Sequence, residues 1–488
     1  MRPQLPTAAA AAALLVVLGC AGDGVAPGKV PITTTSSKAL KEYLAARELQ
    51  DNLRLSEAHG RYARAVELDP EFALAHLGLV QTALTNDELL RSVKRAAELA
   101  DKVSPGEAHM IRVAEANING HPEVARQHLE ALAAEFPNDE RVHFVVGAFH
   151  FGRGEWQQAI ESYRKAEAIN PDFAPPYNQL GYALRNLGDF DGSAKAFKRY
   201  TELIPDEPNP YDSYAELLMK VGKFQDSIDQ YEKALEINPN FTASYVGIAH
   251  DRMFLGDFRQ ARGALARALF IAPNDVERRQ VLLWIAVSYI YEGDLDQAFA
   301  ELERRAEIAR KGQDRLTIAG DLFLLGRVLT EYGRTDEARA KYDEGLAVVE
   351  SAWASPEVKE NFRRAHLAGI TRVTLAAGDL DGAAGLAARY LETVQRDQVP
   401  GQLRQAHALL GLVALARSDW ATAIAELSRA DQSDPYTHYL LARAYLGGGD
   451  RKAGLAALER AANFNGLAFS YAFVRRPALE LLAEQQRH

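Results

Sequence analysis

The chain has 488 residues, of which 47% are hydrophobic and 25% are charged, and its formal net charge is −10. This composition is ordinary for a folded soluble protein. The sequence carries no basic stripe with interleaved aromatic residues, which argues against nucleic acid as a partner. Cys20 is the only cysteine, so no disulfide is expected within the chain.

The N-terminus has the pattern of a targeting segment. An apolar run from Ala8 to Leu18 follows a single positive charge, and it is too short to span a bilayer comfortably. Residues 1–19 are therefore interpreted as a signal peptide. The run ends at 17–20 in Val-Leu-Gly-Cys, which is similar to a bacterial lipobox. That resemblance implies a lipid on Cys20; an ordinary secretory signal that contains a cysteine is the alternative.

The lipobox resemblance also implies a location. Ala21 follows the cysteine, and in such proteins this favours retention in the outer membrane rather than the inner one. Residues 20–37 are rich in Gly, Pro, Thr and Ser, which predicts a flexible tether. We therefore expect a lipid-anchored protein of the bacterial cell envelope, on the periplasmic face of the outer membrane, with the membrane contacted through the anchor only.

A repeat with a constant step of 34 residues fills positions 140–275. A step this regular predicts a stack of similar helix pairs, in which each pair buries its apolar face on its neighbours. Such a stack offers a surface more readily than a catalytic pocket. The positions that share the step are the turn glycines Gly154, Gly188, Gly222 and Gly256, and the closing prolines Pro171, Pro205, Pro239 and Pro273.

One copy, at 174–207, explains the pattern. Gly181 lies on the buried face of the first helix, where the missing side chain lets the second helix cross closely. Gly188 ends the first helix, because glycine adopts the left-handed C-cap at little cost, and Pro205 stops the second helix. The apolar positions are Tyr177, Leu180, Gly181 and Leu184 on the first helix, and Ala194, Phe197 and Tyr200 on the second.

These spacings resemble the tetratricopeptide repeat, in which a Trp-Leu-Gly-Tyr set is followed by Ala, Phe and Pro. Weaker copies precede 140 and follow 275, and the step lengthens after Pro273. The resemblance implies an all-α fold, a right-handed superhelical α-solenoid of about twelve helix pairs. The predicted parts are a regular array at 38–275, an array with longer repeats at 276–463, and a C-terminal capping segment at 464–488. A docking site for another subunit is the alternative for that last segment.

The family resemblance also suggests where a partner binds, since the first helices line the concave side in this class. Their free faces combine aromatic residues and Met with a few charges, a composition common at binding surfaces. Packing against the adjacent first helix is the alternative for each residue. The candidate partner-binding residues are Phe144, Phe151, Asn178, Tyr182, Arg185, Asp212, Glu216, Met219, Val246, His250 and Phe254.

The carboxylate clamp of some relatives is not reproduced at these positions, so recognition of a peptide C-terminus is not expected. Asp212 and Glu216 lie one helical turn apart and favour a basic segment, with a solvated helix face as the alternative.

No motif for catalysis, metal or cofactor binding is present. His143 and His150, like His121 and His128, share a helix face, but no further ligands are suggested by spacing, so neither a metal nor a cofactor is expected. The chain is therefore interpreted as a non-enzymatic scaffold that binds other proteins or peptide segments along its concave face. Two alternatives remain open: a binding protein for a small molecule or glycan, and an enzyme with an unrecognised site.

Overall fold

The computed structural model describes residues 27–487, which fold into α-helices and contain no strand. The signal peptide and Cys20 lie outside the described residues. The helices alternate between a first and a second member of a pair. The first helices are α1 Ser37–Asp51, α3 Ala73–Thr82, α5 Pro105–Ile118, α7 Glu140–Gly152, α9 Pro175–Asn186, α11 Asn209–Lys220, α13 Thr242–Phe254, α15 Asp275–Glu292, α17 Arg315–Glu331, α19 Pro356–Ala376, α21 Pro400–Ala416 and α23 Pro435–Gly447.

Each first helix is followed by a second helix that packs against it and against the next first helix. The second helices are α2 Leu55–Leu68, α4 Asn86–Leu99, α6 Pro122–Glu135, α8 Trp156–Ile169, α10 Phe190–Leu203, α12 Phe224–Ile237, α14 Phe258–Ile271, α16 Leu295–Gly312, α18 Thr335–Glu350, α20 Leu380–Arg396, α22 Trp420–Leu427 and α24 Arg451–Ala462; a 3-10 turn at Ala100–Lys102 and a final helix, α25 Tyr471–Gln485, complete the fold.

The predicted all-α array of about twelve helix pairs is confirmed. Most successive first helices also touch one another, as α9, α11, α13 and α15 do, so they share one face of the array. From α15 to α21 the helices have 16–21 residues, compared with 10–15 in α1–α14. None of the helices at 27–487 is both long enough and apolar enough to cross a membrane.

The turn glycines and the closing prolines have the backbone conformation and hydrogen bonds that their residue types favour. Gly188, at φ +82°, adopts the left-handed conformation predicted for it, and the other turn glycines share that conformation. After Pro70, Pro137, Pro171, Pro205 and Pro239, the Tyr or His residue six positions later hydrogen-bonds to the proline carbonyl. The Tyr177 hydroxyl donates to Pro171 O at 3.1 Å, and His143 Nε2 lies 2.8 Å from Pro137 O. This bond ties each first helix to the loop that precedes it.

The two helices of a pair cross closely at the small residue predicted for that role. A Cβ atom at Gly181 would lie 2.6 Å from the Phe197 ring, which is fully buried. The second-helix assignment was wrong by one residue. Ala194 is only half-buried, and Ser193 takes the buried position, where its hydroxyl donates to Gly181 O at 2.8 Å. A serine fits there because the first-helix carbonyl satisfies its hydroxyl.

The end of the predicted tether is attached to the array. Val30 N donates to Asp139 Oδ2 at 2.8 Å. Thr33 donates from its backbone nitrogen and its hydroxyl to the buried carboxylate of Glu107, at 2.7 and 2.5 Å. Over residues 29–36 the expectation of a flexible tether is therefore wrong. Carboxylates at the N-terminal ends of α5 and α7 bind these backbone and hydroxyl donors, which composition alone does not reveal.

The later part of the array lies back against its beginning. The side-chain amide of Asn274 donates to Ser56 Oγ at 3.0 Å, and Asn86 N donates to Asp314 Oδ2 at 3.0 Å. These partners lie 218 and 228 positions apart in the chain. The array thus returns on itself, and the turn after α1 faces the inner side of the central repeats.

Replacing Gly181 with Ala tests the close crossing. The added methyl would press on the Phe197 ring, so we expect a loss of about 1–3 kcal/mol of stability and a lower thermal midpoint by circular dichroism. Gly263→Ala, in the exposed face of α14 with open space around it, is the matched control and should stabilise by up to about 1 kcal/mol. Equal effects of the two substitutions would contradict the packing argument.

Candidate functional site

The inner face of the central repeats lines a partly open cavity of ≈ 640 Å³, which we name the central chamber. Successive first helices supply its floor, with Tyr182 on α9, Asp212 on α11, Val246 on α13 and Trp284 on α15. Residues 53–57, the end of the turn after α1 and the first residues of α2, also line it and are called the turn at 53–57 below. Leu467, from the segment before α25, lines it as well. An open groove is thereby narrowed into a chamber by two other parts of the same chain.

The turn at 53–57 is held in place by ion pairs to distant repeats. Arg141, at the start of α7, pairs with Asp51 at 2.5 Å, and Arg54 lies 3.8 Å from Glu207 in the loop before α11. Arg54 also binds Glu57 at 2.7 Å within the turn itself. The position of this side of the chamber is therefore set by charges on repeats that lie far away in the sequence.

Four predicted partner-binding residues line the chamber: Tyr182, Asp212, Glu216 and Val246. Asp212 is 7% exposed and accepts a hydrogen bond from Ser244 Oγ at 2.7 Å. Glu216 pairs with Arg185, a fifth predicted residue, at 3.1 Å. The Arg185 guanidinium lies 4.7 Å from the centre of the Tyr182 ring. Tyr182, Arg185, Asp212 and Glu216 lie together as one polar cluster on α9 and α11, and Val246, on α13, adds an apolar surface beside it.

Two other predicted residues, Met219 and Phe254, contact the chain's own C-terminal segment. The Phe254 ring meets the Tyr471 ring edge-on at 5.7 Å, and both belong to one buried cluster with Met219. Beside them, the Lys220 ammonium donates to Phe464 O at 2.5 Å and lies 3.9 Å from the centre of that ring. This part of the inner face is covered in the structure.

The C-terminal segment consequently contacts two surfaces. The second half of α25 packs on the last helix pair, where Ala478 is fully buried with Leu458 and Ala461. The first half lies against α13 and α15 through Tyr471 and Ala472. The sequence suggested a cap or a docking site for another subunit, and it did not indicate this second contact within the chain.

The remaining predicted residues lie in the helix packing. Phe144 stacks against Tyr163 and Phe173, and Phe151 meets Trp156 edge-on at 5.1 Å. Asn178 is 3% exposed. His250 is 1% exposed, and its Nδ1 lies 2.8 Å from Val246 O while its ring meets Trp284. None of these four side chains lines the chamber, although His250 packs behind it against Val246 and Trp284.

Trp284 and Gln280 are chamber residues that the sequence analysis missed. They continue two series at the step of 34, because 178, 212 and 246 lead to 280, and 182, 216 and 250 lead to 284. The step of 34 residues does not indicate that the turn at 53–57 and Leu467 line the chamber, because their positions there depend on the winding of the array.

Burial shifts the pKa of several groups near the chamber. Loss of solvent, with the charge of Glu216 nearby, raises the pKa of Asp212 well above its usual range. Burial raises the pKa of Asp251 to about 8 and lowers that of His250 to about 4. It also lowers the pKa of Lys220 to about 8. The uncharged forms of these groups are favoured because few opposite charges compensate their burial.

Some buried polar atoms here have no hydrogen-bond partner among residues 27–487. They include the Tyr231 hydroxyl, in the chamber wall, and both carboxyl oxygens of Asp251, which is fully buried. Leaving a buried polar atom unpaired costs about 1–3 kcal/mol. These atoms are therefore a local weakness in the packing or a contact surface for a bound group. The described residues contain no cluster of three or more potential metal ligands.

Family comparison matches three tetratricopeptide-repeat models to the chain: one TPR repeat model at 150–188, one tetratricopeptide model at 174–207 and 209–241, and another at 43–107. The chain is therefore a tetratricopeptide-repeat protein. The repeats and the all-helical fold support a protein–protein interaction scaffold. A comparison with curated proteins finds no significant match.

Several solved structures are similar to parts of the chain. The APC/C hetero-tetramer Cut9–Hcn1 has 17% identity and a TM-score of 0.39, covering 83% of this chain and 76% of that one. YrrB, described as a TPR protein with an unusual peptide-binding site, has 16% identity and a TM-score of 0.26 over 37% of this chain and 91% of its own. A thermophilic TPR protein from Thermus thermophilus has 19% identity and a TM-score of 0.32 over 38% and 98%.

Asp251→Asn tests the buried neutral carboxyl. Between the pKa near 3.9 of an unfolded Asp and the folded value of about 8, the folded state holds a proton that the unfolded state releases. Stability therefore falls as the pH rises through this window, by at most about 1.4 kcal/mol per pH unit from this group.

The variant lacks this dependence, so its thermal midpoint relative to the native chain should rise steadily from pH 5 to pH 8. Asp226→Asn, on the exposed face of α12, serves as the control and should give a constant difference. A constant difference for Asp251→Asn as well would contradict the neutral carboxyl.

Proposed function

We propose that this protein is a non-enzymatic scaffold that binds a segment of a partner protein along the inner face of its central repeats. The observation that carries this proposal is the central chamber, where four successive first helices present side chains to one cavity. Its floor has aromatic, amide and carboxyl groups, the mixture that suits recognition of a polypeptide. Much of this inner face is not covered by other parts of the chain, and a bound partner segment would cover it.

The contact with the C-terminal segment supports an extended binding mode. Residues 463–470 lack regular secondary structure, yet the inner face binds them through one main-chain carbonyl and several rings. Lys220 supplies the donor to that carbonyl, and Phe254 supplies an aromatic wall. Contacts of these kinds along the neighbouring central chamber would hold an extended segment of a partner.

The proposed location is the bacterial cell envelope, with a lipid on Cys20 and the array on the periplasmic face of the outer membrane. The lipobox-like Val-Leu-Gly-Cys at 17–20 supports it. Lys29, which binds Asn138 and Glu140 at the start of α7, lies nine positions after Cys20. A chain of that length spans at most about 30 Å, so this edge of the array would stay near the bilayer.

A second candidate is a binding protein for a small molecule or glycan. The volume of ≈ 640 Å³ and the aromatic wall of Trp284 and Tyr182 favour it, because small-ligand sites have this size and lining. The two candidates differ in what raises the thermal midpoint. Sugars or peptidoglycan fragments would do so for the second candidate, and peptides for the first.

A photo-crosslinking amino acid at Gln280, an exposed chamber residue, tests partner binding in the native host. We expect discrete adducts, with the crosslinked peptide mapped by mass spectrometry to an extended segment of another protein. Lys198, on the exposed outer side of α10, is the control position and should give no such adduct. Equal labelling at both positions, or none at Gln280, would rule out this face.

Cys20→Ala tests the anchor. The native chain should partition with membranes and carry the mass of a diacylglyceryl group, and the variant should lose both properties. The array should keep its helical circular dichroism spectrum, because Cys20 precedes the helices. A variant that remained with the membrane fraction and still carried the lipid mass would end the anchoring proposal.

A further inference from the structure

We propose that the central chamber recognises a basic side chain, a lysine ammonium or an arginine guanidinium, carried by the partner segment. This inference rests on the proposed function and specifies the chemistry of its ligand. It depends on three features of the chamber wall: an excess of carboxyl groups, an unpaired buried hydroxyl and an aromatic surface.

The chamber wall contains more acidic than basic groups. Its charged residues are Asp212, Glu216, Glu277, Glu57 and a single base, Arg54. Arg54 is engaged by Glu57 within the turn, and Glu216 pairs with Arg185. Asp212 and Glu277 have no Lys, Arg or His within 4.0 Å among the described residues. No cation of the array pairs with these two carboxyl groups, so a ligand cation beside Asp212 would favour its ionised form, which burial and the charge of Glu216 otherwise disfavour.

The Tyr231 hydroxyl is the second feature. The side chain is 1% exposed and lines the chamber, and its oxygen has no partner among residues 27–487. A lone acidic cluster on a helix is usually explained by solvation, but this hydroxyl is withdrawn from solvent and unpaired. An ammonium or guanidinium ligand donates several hydrogen bonds, which suits an unpaired oxygen beside a carboxyl group.

The aromatic wall already accepts a cation. Arg185 lies 4.7 Å from the centre of the Tyr182 ring while it pairs with Glu216. Trp284, on α15, is 8% exposed and lines the same space. Indole and phenol faces attract a cation and also cover the aliphatic stem of Lys or Arg. Arg185 thus already makes, within the protein, the two contacts proposed for the ligand cation: one with a carboxylate and one with an aromatic face.

The depth of the site selects a side chain rather than a surface charge. Asp212 is 7% exposed, so a group that reaches it must be carried on a stem of several atoms. Lys and Arg have such stems, and an extended partner segment along the floor would direct one of them into the chamber. A shorter or neutral side chain would leave Asp212 and Tyr231 without a partner.

Isothermal titration of the purified chain with capped pentapeptides tests the proposal. The probes are Ala-Leu-Lys-Leu-Ala, the same peptide with Arg, and the same peptide with acetyl-lysine, whose side chain is neutral. We expect the Lys and Arg peptides to bind at least about tenfold more tightly than the acetyl-lysine peptide, as for a charge-assisted contact of about 1.4 kcal/mol or more.

Two variants locate the contact. Asp212→Asn should remove most of the preference for Lys over acetyl-lysine and keep the acceptor for Ser244. Tyr231→Phe removes only an unpaired hydroxyl, so the free protein should keep its stability while affinity for the Lys peptide falls several-fold. Glu232→Gln, on the exposed side of α12, is the charge-matched control. It should change neither the preference for Lys over acetyl-lysine nor the affinity for the Lys peptide.

Equal binding of the Lys and acetyl-lysine peptides would overturn this inference and leave the proposed function standing. Absence of binding by all peptides would also overturn it, and the crosslinking at Gln280 would then decide the proposed function separately. Free n-butylammonium distinguishes the source of the cation. If it binds as tightly as the Lys peptide, the chamber is a site for small amines, and a partner side chain is excluded.

Discussion

The structure depends on aromatic rings of the second helices that lie on small residues of the first helices. The Tyr342 ring covers Gly326 in its own pair and Gly369 in the next one, and Phe197 covers Gly181. Because each ring fixes how closely two helices approach, it also fixes the step from one repeat to the next. Each pair buries its apolar face only on its neighbours, so the geometry of the whole array is the sum of these local helix spacings.

One of these packing rings, Tyr231, also contributes to the inner face. Tyr231 lies on Gly247 of the next first helix and is buried in one cluster with Ala215. Its ring belongs to the repeat packing, and the same residue is part of the lining of the central chamber. An aromatic residue with a polar tip at this position connects the spacing of the helices with the chemistry of the site. A phenylalanine, as at Phe197, would serve the packing alone.

The sequence predicts what depends on the local repeat. The helix pairs, the left-handed turns such as Gly188 and the crossing at Gly181 follow from a step of 34 residues, and that step also leads to Trp284. The step of 34 residues does not predict contacts between distant repeats, because these depend on the sum of many small rotations between successive helix pairs. The approach of Ser56 to Asn274, like the place of Leu467 beside the floor, belongs to that second kind.

Contacts within the chain turn a general surface into a particular site. A stack of helix pairs alone presents a long open face, on which a carboxyl group such as Asp212 would be solvated. Here the turn at 53–57 and the C-terminal segment also line the cavity, so the same carboxyl group is withdrawn from water. In that setting an unpaired charge becomes costly, and a complementary cation gains more than it would on an open helix face. The selectivity of the inner face therefore arises from the winding of the array and from its ends, rather than from the repeat motif.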